Sequence, residues 1–567
     1  MRRLLKIGLA AFASMSSTSL VLAQAPATED SVMVGSAGVT RLEDDLKSTM
    51  SLVPKGATHW KSLKDLLDAF TAGVDPAKPI RVDLMAGTAD DFRMWVPITN
   101  HKAFQSDNVQ PIVLKPAKKL LADFHEWKGP GWVLGGYERF FPKMTTSVLA
   151  TQRALVPATL TDPNPGLNTL LAKDADLALL VSNTSAGSKA RRERIQKVRK
   201  DLAAKIKRLA DEDENGFELR KLSHEQQFDE AERFYSESEK LGLTWTLDTA
   251  KKEAHLDLTL KALAGTSLEA TIKELAAEPS AFTPVVASKD TTGFARVNHA
   301  IDAMRKAHLK QFVELIKKQS NTRIANSKTI KDAHKASYTQ AANQFLDLLS
   351  GGLDMGVIDG FVQTEKAGDR QTILGALRVP DGKGLVAVFE SLKGAEWKVQ
   401  TNVETVGDLS VHVITVPQRD DGDFAHLFDK DGTLVVATGP NVVWYAAGER
   451  AADRLKEAAA KNATAEKPKD GVFFEVWGNM SPWMQYLLDR RARLTVDEKS
   501  LTAEDKAMRK TKEGLLKTAV EAFKPGDATL HMKLERKDNE VFGRTTLSEG
   551  MLRFGGQKMV DFATKLE

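Results

Sequence analysis

Apolar residues along this chain form short alternating runs and longer helical patterns, and the same succession of both occurs twice. Residues 31–47 show an apolar strand pattern that leads into a helical pattern, and residues 292–308 show the same order. Apolar residues at three- and four-residue steps then predict a helix over residues 60–72 in the first half and over 342–353 in the second. The repeated order indicates an internal duplication.

The later parts of the two halves also correspond. Each half continues with paired strands, a long charged helical region, a closing hairpin and a terminal helix. The charged regions are residues 188–240 and 482–523, and the hairpins cover 244–264 and 529–548. Closely spaced strands of alternating polarity are typical of antiparallel sheets. We therefore predict an α+β fold with two similar lobes, each an antiparallel sheet with helices on one face plus a charged helical insert.

The N-terminal segment and a proline-containing segment in the middle of the chain predict the domain boundaries. Residues 1–23 have a basic start, an apolar run and a small-residue end, which is the layout of a cleavable secretory signal peptide. The N-terminal lobe is then predicted over residues 24–278 and the C-terminal lobe over 291–567. Residues 279–290 contain two prolines and a polar end and are predicted to be a linker. We expect the exported chain to be periplasmic or extracellular.

Composition excludes some classes of function. The 567 residues include no cysteine, which excludes thiolate metal sites and thiol nucleophiles. The formal charge is +4, and removal of the predicted signal peptide takes away three basic residues and no acidic one, which leaves +1. This balance gives no reason to expect nucleic-acid binding. After the signal, no apolar run approaches the roughly 20 residues of a membrane-spanning helix.

One short motif points to phosphoryl chemistry. Residues 428–434, FDKDGTL, resemble the first motif of haloacid-dehalogenase-type phosphatases. The resemblance implies Asp429 as nucleophile and Asp431 as general acid or base, with Mg²⁺ beside them. That family places the motif at the start of a parallel α/β sheet, whereas here it stands late, among strands predicted to be antiparallel. Asp-Lys-Asp-Gly also forms β-turns, and we favour the turn.

A second motif resembles the start of an EF-hand calcium loop. Asp211, Asp213 and Asn215 occupy its first, third and fifth positions, followed by Gly216. The twelfth position holds Leu222 where a bidentate glutamate is required. We therefore favour a polar loop between two helices and predict no bound metal ion or other cofactor.

The segment 188–210 is predicted to be a basic amphipathic helix. It carries ten Lys or Arg residues and only two acidic residues, with an apolar stripe at helical spacing. Such a helix can contact an anionic surface. The next predicted helix is acidic, however, and antiparallel pairing of the two would neutralise much of the charge. We favour a packed helical hairpin, with weak contact to an anionic surface as the alternative.

No further catalytic or metal-binding motif is found, since the eleven histidines are scattered and no phosphate-binding glycine loop occurs. The function expected from the sequence is therefore that of an exported, non-enzymatic binding or structural protein of the cell envelope or extracellular space. One alternative is a Mg²⁺-dependent phosphohydrolase that uses Asp429 and Asp431. Another is a periplasmic chaperone or carrier of an apolar ligand.

Overall fold

The fold combines one large sheet with helices. The computed structural model describes residues 31–84, 92–109, 115–121, 124–128, 136–158, 171, 175–209, 212–368, 370–395, 397–415, 427–428, 432–493 and 502–565. Within them the chain forms a single antiparallel sheet of twenty strands and thirteen α-helices. The predicted α+β class is therefore confirmed.

The N-terminal half contributes ten strands and six helices to the described part of the chain. Its strands are β1 (Ser31–Ser36), β2 (Ile80–Leu84), β3 (Phe92–Pro97), β4 (Lys115–Leu121), β5 (Phe124–Lys128), β6 (Gly136–Phe141), β7 (Thr146–Ala150), β8 (Leu177–Ser182), β9 (Ser238–Asp248) and β10 (Glu253–Ala262). Its helices are α1 (Val39–Ser51), α2 (Gly56–Thr71), α3 (His101–Ala103), α4 (Ser188–Ala203), α5 (Glu214–Glu237) and α6 (Ser267–Glu274).

The C-terminal half contributes ten strands and seven helices to the same described residues. Its strands are β11 (Thr291–Ala300), β12 (Val357–Ala367), β13 (Arg370–Arg378), β14 (Lys398–Val406), β15 (Leu409–Thr415), β16 (Thr433–Thr438), β17 (Val442–Ala447), β18 (Val472–Asn479), β19 (Thr529–Lys537) and β20 (Glu540–Leu547). Its helices are α7 (Ala303–Asn326), α8 (Asp332–Leu353), α9 (Leu385–Lys393), α10 (Ala451–Thr464), α11 (Met480–Arg493), α12 (Ala503–Ala522) and α13 (Glu549–Ala563).

The strand order is the same in both halves. The N-terminal strands follow one another in space as β4-β5-β6-β7-β3-β2-β1-β8-β9-β10. The C-terminal strands follow as β14-β15-β16-β17-β13-β12-β11-β18-β19-β20. Strands β10 and β20 pair with each other from Ala254↔Leu547 to Lys261↔Glu540. The expectation of a separate sheet in each lobe was therefore wrong, because each half uses the edge strand of the other to satisfy its unpaired backbone groups.

Helices lie on both faces of the C-terminal part of the sheet, which corrects the prediction of helices on one face. Strand β16 shows why, because its apolar residues follow one another without alternation. Val435 packs with Leu455 of α10, whereas the adjacent Val436 packs with Phe389 of α9. Successive residues of a strand point to opposite faces. A continuous apolar run therefore needs a cover on each side.

The predicted linker, residues 279–290, packs into the C-terminal half. Phe282 is 1% exposed and its ring lies 5.4 Å from that of Phe361 and 5.7 Å from that of Trp444. Ser280 donates a hydrogen bond of 2.6 Å to the carboxylate of Asp359. The segment is therefore fixed by core contacts, while the domain boundary itself stays a prediction.

The described helices include none that is long and apolar enough to cross a membrane. The predicted signal peptide, residues 1–23, lies outside the described residues. Export and the periplasmic or extracellular location therefore stay predictions.

Candidate binding site

The two acidic residues of the phosphatase-like motif, Asp429 and Asp431, lie outside the described residues. The surroundings of the motif are described. Strand β16 begins within the motif, at Thr433, and pairs antiparallel with both β15 and β17. The phosphatase family places this motif on a parallel sheet, so the setting differs from the one that the resemblance implies. The catalytic role of the two aspartates stays a prediction.

The calcium-like loop uses its described side chains locally. Asp211 lies outside the described residues. Asp213 caps helix α5, because its carboxylate accepts a 2.6 Å hydrogen bond from the backbone N–H of Gly216. The amide of Asn215 donates to the Thr322 hydroxyl of α7 at 3.2 Å. These bonds are those of a loop between helices, and no group of three or more metal-binding side chains occurs among the described residues.

The basic helix pairs with the acidic helix that follows it, as favoured from the sequence. Helices α4 and α5 form a hairpin, which we call the first hairpin. Arg199 of α4 binds Asp229 of α5 at 2.5 Å, and Arg192 binds Glu237 at 3.0 Å. The charges of Arg192 and Arg199 are thereby compensated. The helix ends at Ala203, earlier than the predicted 210, and a non-helical segment follows it.

The base of the first hairpin is fixed by a buried arginine. Arg191 is 1% exposed, and its guanidinium donates to the carbonyl oxygens of Tyr235 at 3.0 Å, Ser236 at 3.1 Å and Thr184 at 2.9 Å. A guanidinium can satisfy several acceptors at once in a fixed geometry. Arg191 therefore holds the start of α4 against the end of α5, and the hairpin opens away from this point.

Two adjoining cavities occupy the open end of the first hairpin. Their volumes are about 450 Å³ and 290 Å³, and both are lined by Ile206, His224 and Phe228. Phe217 of α5 extends the apolar wall of the smaller cavity. We call this recess the hairpin groove. Its lining consists of Arg199, Leu202, Ala203, Lys205, Ile206, Lys207, Arg208, Leu209, Phe217, Arg220, Lys221, His224, Glu225 and Phe228.

The hairpin groove exposes large apolar side chains to solvent. Leu202 is 43% exposed and Leu209 is 62% exposed. Single exposed leucines are common on protein surfaces. Here they stand at the mouth of a recess whose inner wall is also apolar, and contiguous apolar surface of this kind marks interaction sites.

The charge around the hairpin groove is only partly compensated. Arg220 binds Glu212 at 2.6 Å and holds the pKa of that carboxyl down at about 2. Arg208 binds Glu214 at 3.1 Å. Lys205, Lys207 and Lys221, in contrast, make no ion pair with any described residue. An apolar wall with uncompensated ammonium groups at its rim suits a ligand that has an apolar body and an anionic group.

A buried polar cluster in the N-terminal half has the residue types of a catalytic triad but not its geometry. Glu138 is fully buried and accepts hydrogen bonds from His101, Gln105 and Ser147, each at 2.7 Å. Burial opposes ionisation of Glu138, yet these donors outweigh it and lower the pKa of the carboxyl. In a triad the serine hydroxyl donates to the histidine. Here Ser147 donates to the glutamate, so the cluster fixes α3 to the sheet.

A larger recess of about 800 Å³ is lined by α8 and by Ala325 of α7, and its described lining residues include no large apolar side chain. Its lining includes the carboxylates Asp332 and Asp347 and the amides of Gln340 and Asn343. Lys335 and Lys317 already bind Asp332 and Asp347, at 2.7 Å in each case. The recess is wide and its charges are paired, so we favour the hairpin groove as the binding site.

Sequence reasoning found half of this site. The basic segment 188–210 was identified from its composition, whereas Phe217, His224 and Phe228 of α5 were not. Their seven- and four-residue spacing was visible in the sequence, but the face of α5 on which they lie became apparent only from its packing. Comparisons with protein-family models, curated proteins and solved structures found no match to this chain.

Proposed function

We propose that this chain is an exported, non-enzymatic binding protein that holds an anionic amphiphile in the hairpin groove. The observation that supports this most directly is the apolar wall of Ile206, Phe217 and Phe228 below lysines without ion pairs. Each methylene group moved from water into such a recess contributes about 0.8 kcal/mol. The rim lysines would attract the anionic head and fix which end of the ligand enters first.

The proposal joins two expectations from the sequence, the carrier of an apolar ligand and the anionic contact of residues 188–210. A single ligand molecule is favoured over a bilayer for two reasons. Arg192 and Arg199 of α4 are already paired with acidic residues of α5, which reduces the charge that this helix can offer to a bilayer. The apolar side chains also line a recess, where a chain can be enclosed.

We further propose that the chain arose by internal duplication. The identical strand order of the two halves supports this, and so does the placement of a helical hairpin between β8 and β9 and again between β18 and β19. Two unrelated halves would have little reason to share a ten-strand order. An alignment of homologous chains should match positions of one half to the other, and alignment scores no better than those of shuffled sequences would contradict a duplication.

Calorimetric titration with dodecanoate, dodecanol and butyrate tests the proposed ligand class. We expect saturable binding of dodecanoate and much weaker binding of the other two, because one lacks the charge and the other the chain. Equal binding of dodecanol would exclude a role for the lysines. Binding to vesicles of anionic phospholipid without any binding of dodecanoate would replace the proposal by surface docking.

Variants of the groove locate the binding. The double substitution Lys205→Glu and Lys207→Glu should weaken binding at this site by about thirtyfold or more, at about 1 kcal/mol for each lysine near the anion. Ile206→Asp should abolish it. Lys189→Glu is the matched control, since Lys189 is exposed at the far end of α4, and it should leave the affinity unchanged. An unchanged affinity in both groove variants would overturn the proposal.

A further inference from the structure

The C-terminal half has its own helical hairpin in the matching position. Helices α11 and α12, which we call the second hairpin, connect the neighbouring strands β18 and β19, as α4 and α5 connect β8 and β9. The base of the second hairpin is packed, with Ala519 and Ala522 of α12 and the adjoining Phe523 against Met480 and Met484 of α11.

An apolar stripe continues from this base toward the open end of the second hairpin, and its exposed part is not covered by any described residue. On α12 the stripe runs from the buried Ala519 to Leu515 and Met508, which are 43% and 49% exposed. Leu487 of α11 is 37% exposed. Residues at steps of four and seven lie on one face of a helix. The stripe that stabilises the base is therefore exposed to solvent at the open end.

Two arginines beside this stripe carry buried N–H groups without an acceptor. Arg491 donates from Nη2 to the carbonyl oxygen of Arg509 at 2.7 Å. The Nε of Arg491 and the Nη1 of Arg509 are both buried and have no hydrogen-bond partner. A buried donor without an acceptor is costly, and such groups are rare in folded proteins. An anionic oxygen placed between the two guanidinium groups would satisfy both.

One described acidic residue, Glu513, feels the charge of both arginines. Its pKa is lowered first by Lys517 and also by Arg491 and Arg509. Glu513 binds Lys517 at 2.8 Å, so its charge is already used by that lysine. The unsatisfied N–H groups of Arg491 and Arg509 therefore remain as donors for an anion.

We propose that the open end of the second hairpin is a second binding site for an anionic amphiphile. The head group binds Arg491 and Arg509, and the apolar chain lies along Leu515, Met508 and Leu487. This inference rests on the proposed function, since it assigns the same ligand class to a second position. Guanidinium groups bind carboxylate and phosphate oxygens in a bidentate manner, so the head group can be of either kind.

Binding stoichiometry tests the second site. Native mass spectrometry of the full chain with dodecanoate should show two ligands per chain. The single variants Arg509→Gln and Leu515→Asn should each retain one ligand. Adding Ile206→Asp to either variant should remove that remaining ligand. Lys510→Gln is the matched control, because Lys510 is exposed on the same helix, and it should retain two. Leu515 is itself exposed, so its variant keeps the test valid if Arg509→Gln misfolds.

The outcomes separate the two proposals. One ligand per chain that Ile206→Asp abolishes and Arg509→Gln leaves in place would overturn the second site and keep the hairpin groove. One ligand that only Arg509→Gln and Leu515→Asn abolish would keep the second site and overturn the hairpin groove. No bound dodecanoate would overturn both.

Discussion

At the scale of single residues, some aspartates in the described part of this molecule are buried, and the sequence does not predict which ones. Asp176 is fully buried at the start of β8, where it accepts the backbone N–H of Leu247 and contacts Arg41. Asp45 follows Arg41 by one turn of α1 and lies beside Asp176. Burial first, and then the charge of Asp176, raises the pKa of Asp45 to about 7. Nothing in the local sequence distinguishes these aspartates from exposed ones, because the shift depends on residues more than a hundred positions apart.

The raised pKa of Asp45 predicts a pH dependence of stability. A carboxyl whose pKa is higher in the folded state contributes stability below its unfolded value, near 4, and loses that contribution as the pH rises through about 7. Asp45→Asn removes the titration. We expect this variant to gain about 1–2 kcal/mol over the wild type at pH 8, allowing for solvent screening, and little at pH 4. Urea unfolding at the two pH values measures this gain in stability. A gain of equal size at both pH values would contradict the raised pKa of Asp45.

At the scale of elements, the sequence predicts where helices and strands lie better than it predicts which faces they cover. The hairpins β9–β10 and β19–β20 and the paired charged helices were predicted from periodicity and turn residues. The cover on both faces of β16 was not, because the expectation of helices on one face came from the alternating strands of the hairpins and not from this continuous apolar run. The α5 side of the hairpin groove was also missed, because the face that α5 buries depends on the helix that packs against it.

The first hairpin also supports a prediction about its base. Arg191→Lys keeps the charge but loses the planar guanidinium group that donates to three carbonyl oxygens. Because this leaves buried acceptors unsatisfied, we expect a loss of about 2–3 kcal/mol in the free energy of unfolding. Arg194→Lys on the same helix is the control and should change it by less than about 0.5 kcal/mol. Denaturant titration of both variants compares them, and equal stabilities would show that Arg191 is not the anchor.

At the scale of the whole molecule, the two halves share one continuous sheet. Strands β10 and β20 join the sheet, and partly buried ion pairs join helices of the two halves. Arg233 of α5 binds Asp302 at 2.5 Å, and Arg305 of α7 binds Glu230 of α5 at 2.5 Å. The sequence predicted the repeated order of elements, but it also predicted a separate sheet in each half. The pairing of β10 with β20 was missed because local patterns do not show which edge strands pair.

This continuity predicts cooperative unfolding of the whole chain. Tryptophan fluorescence and far-ultraviolet circular dichroism should give coincident urea transitions with one midpoint, since neither half can lose its edge strand without exposing the other. The pKa of Asp302 is lowered to about 2, so its contribution is present above about pH 4 and is lost as the pH falls through 2. Two separated transitions at neutral pH would contradict a single unit.

The binding account is tested most directly by locating a bound ligand. A fatty acid that carries a photoreactive diazirine near the end of its chain can be added to the full chain and irradiated, and the labelled peptides can be identified by mass spectrometry. The account predicts adducts within residues 202–228, at the apolar wall around Ile206, Phe217 and Phe228, which excess dodecanoate suppresses. Labelling that leaves these residues unmodified, or that dodecanoate does not displace, would contradict it.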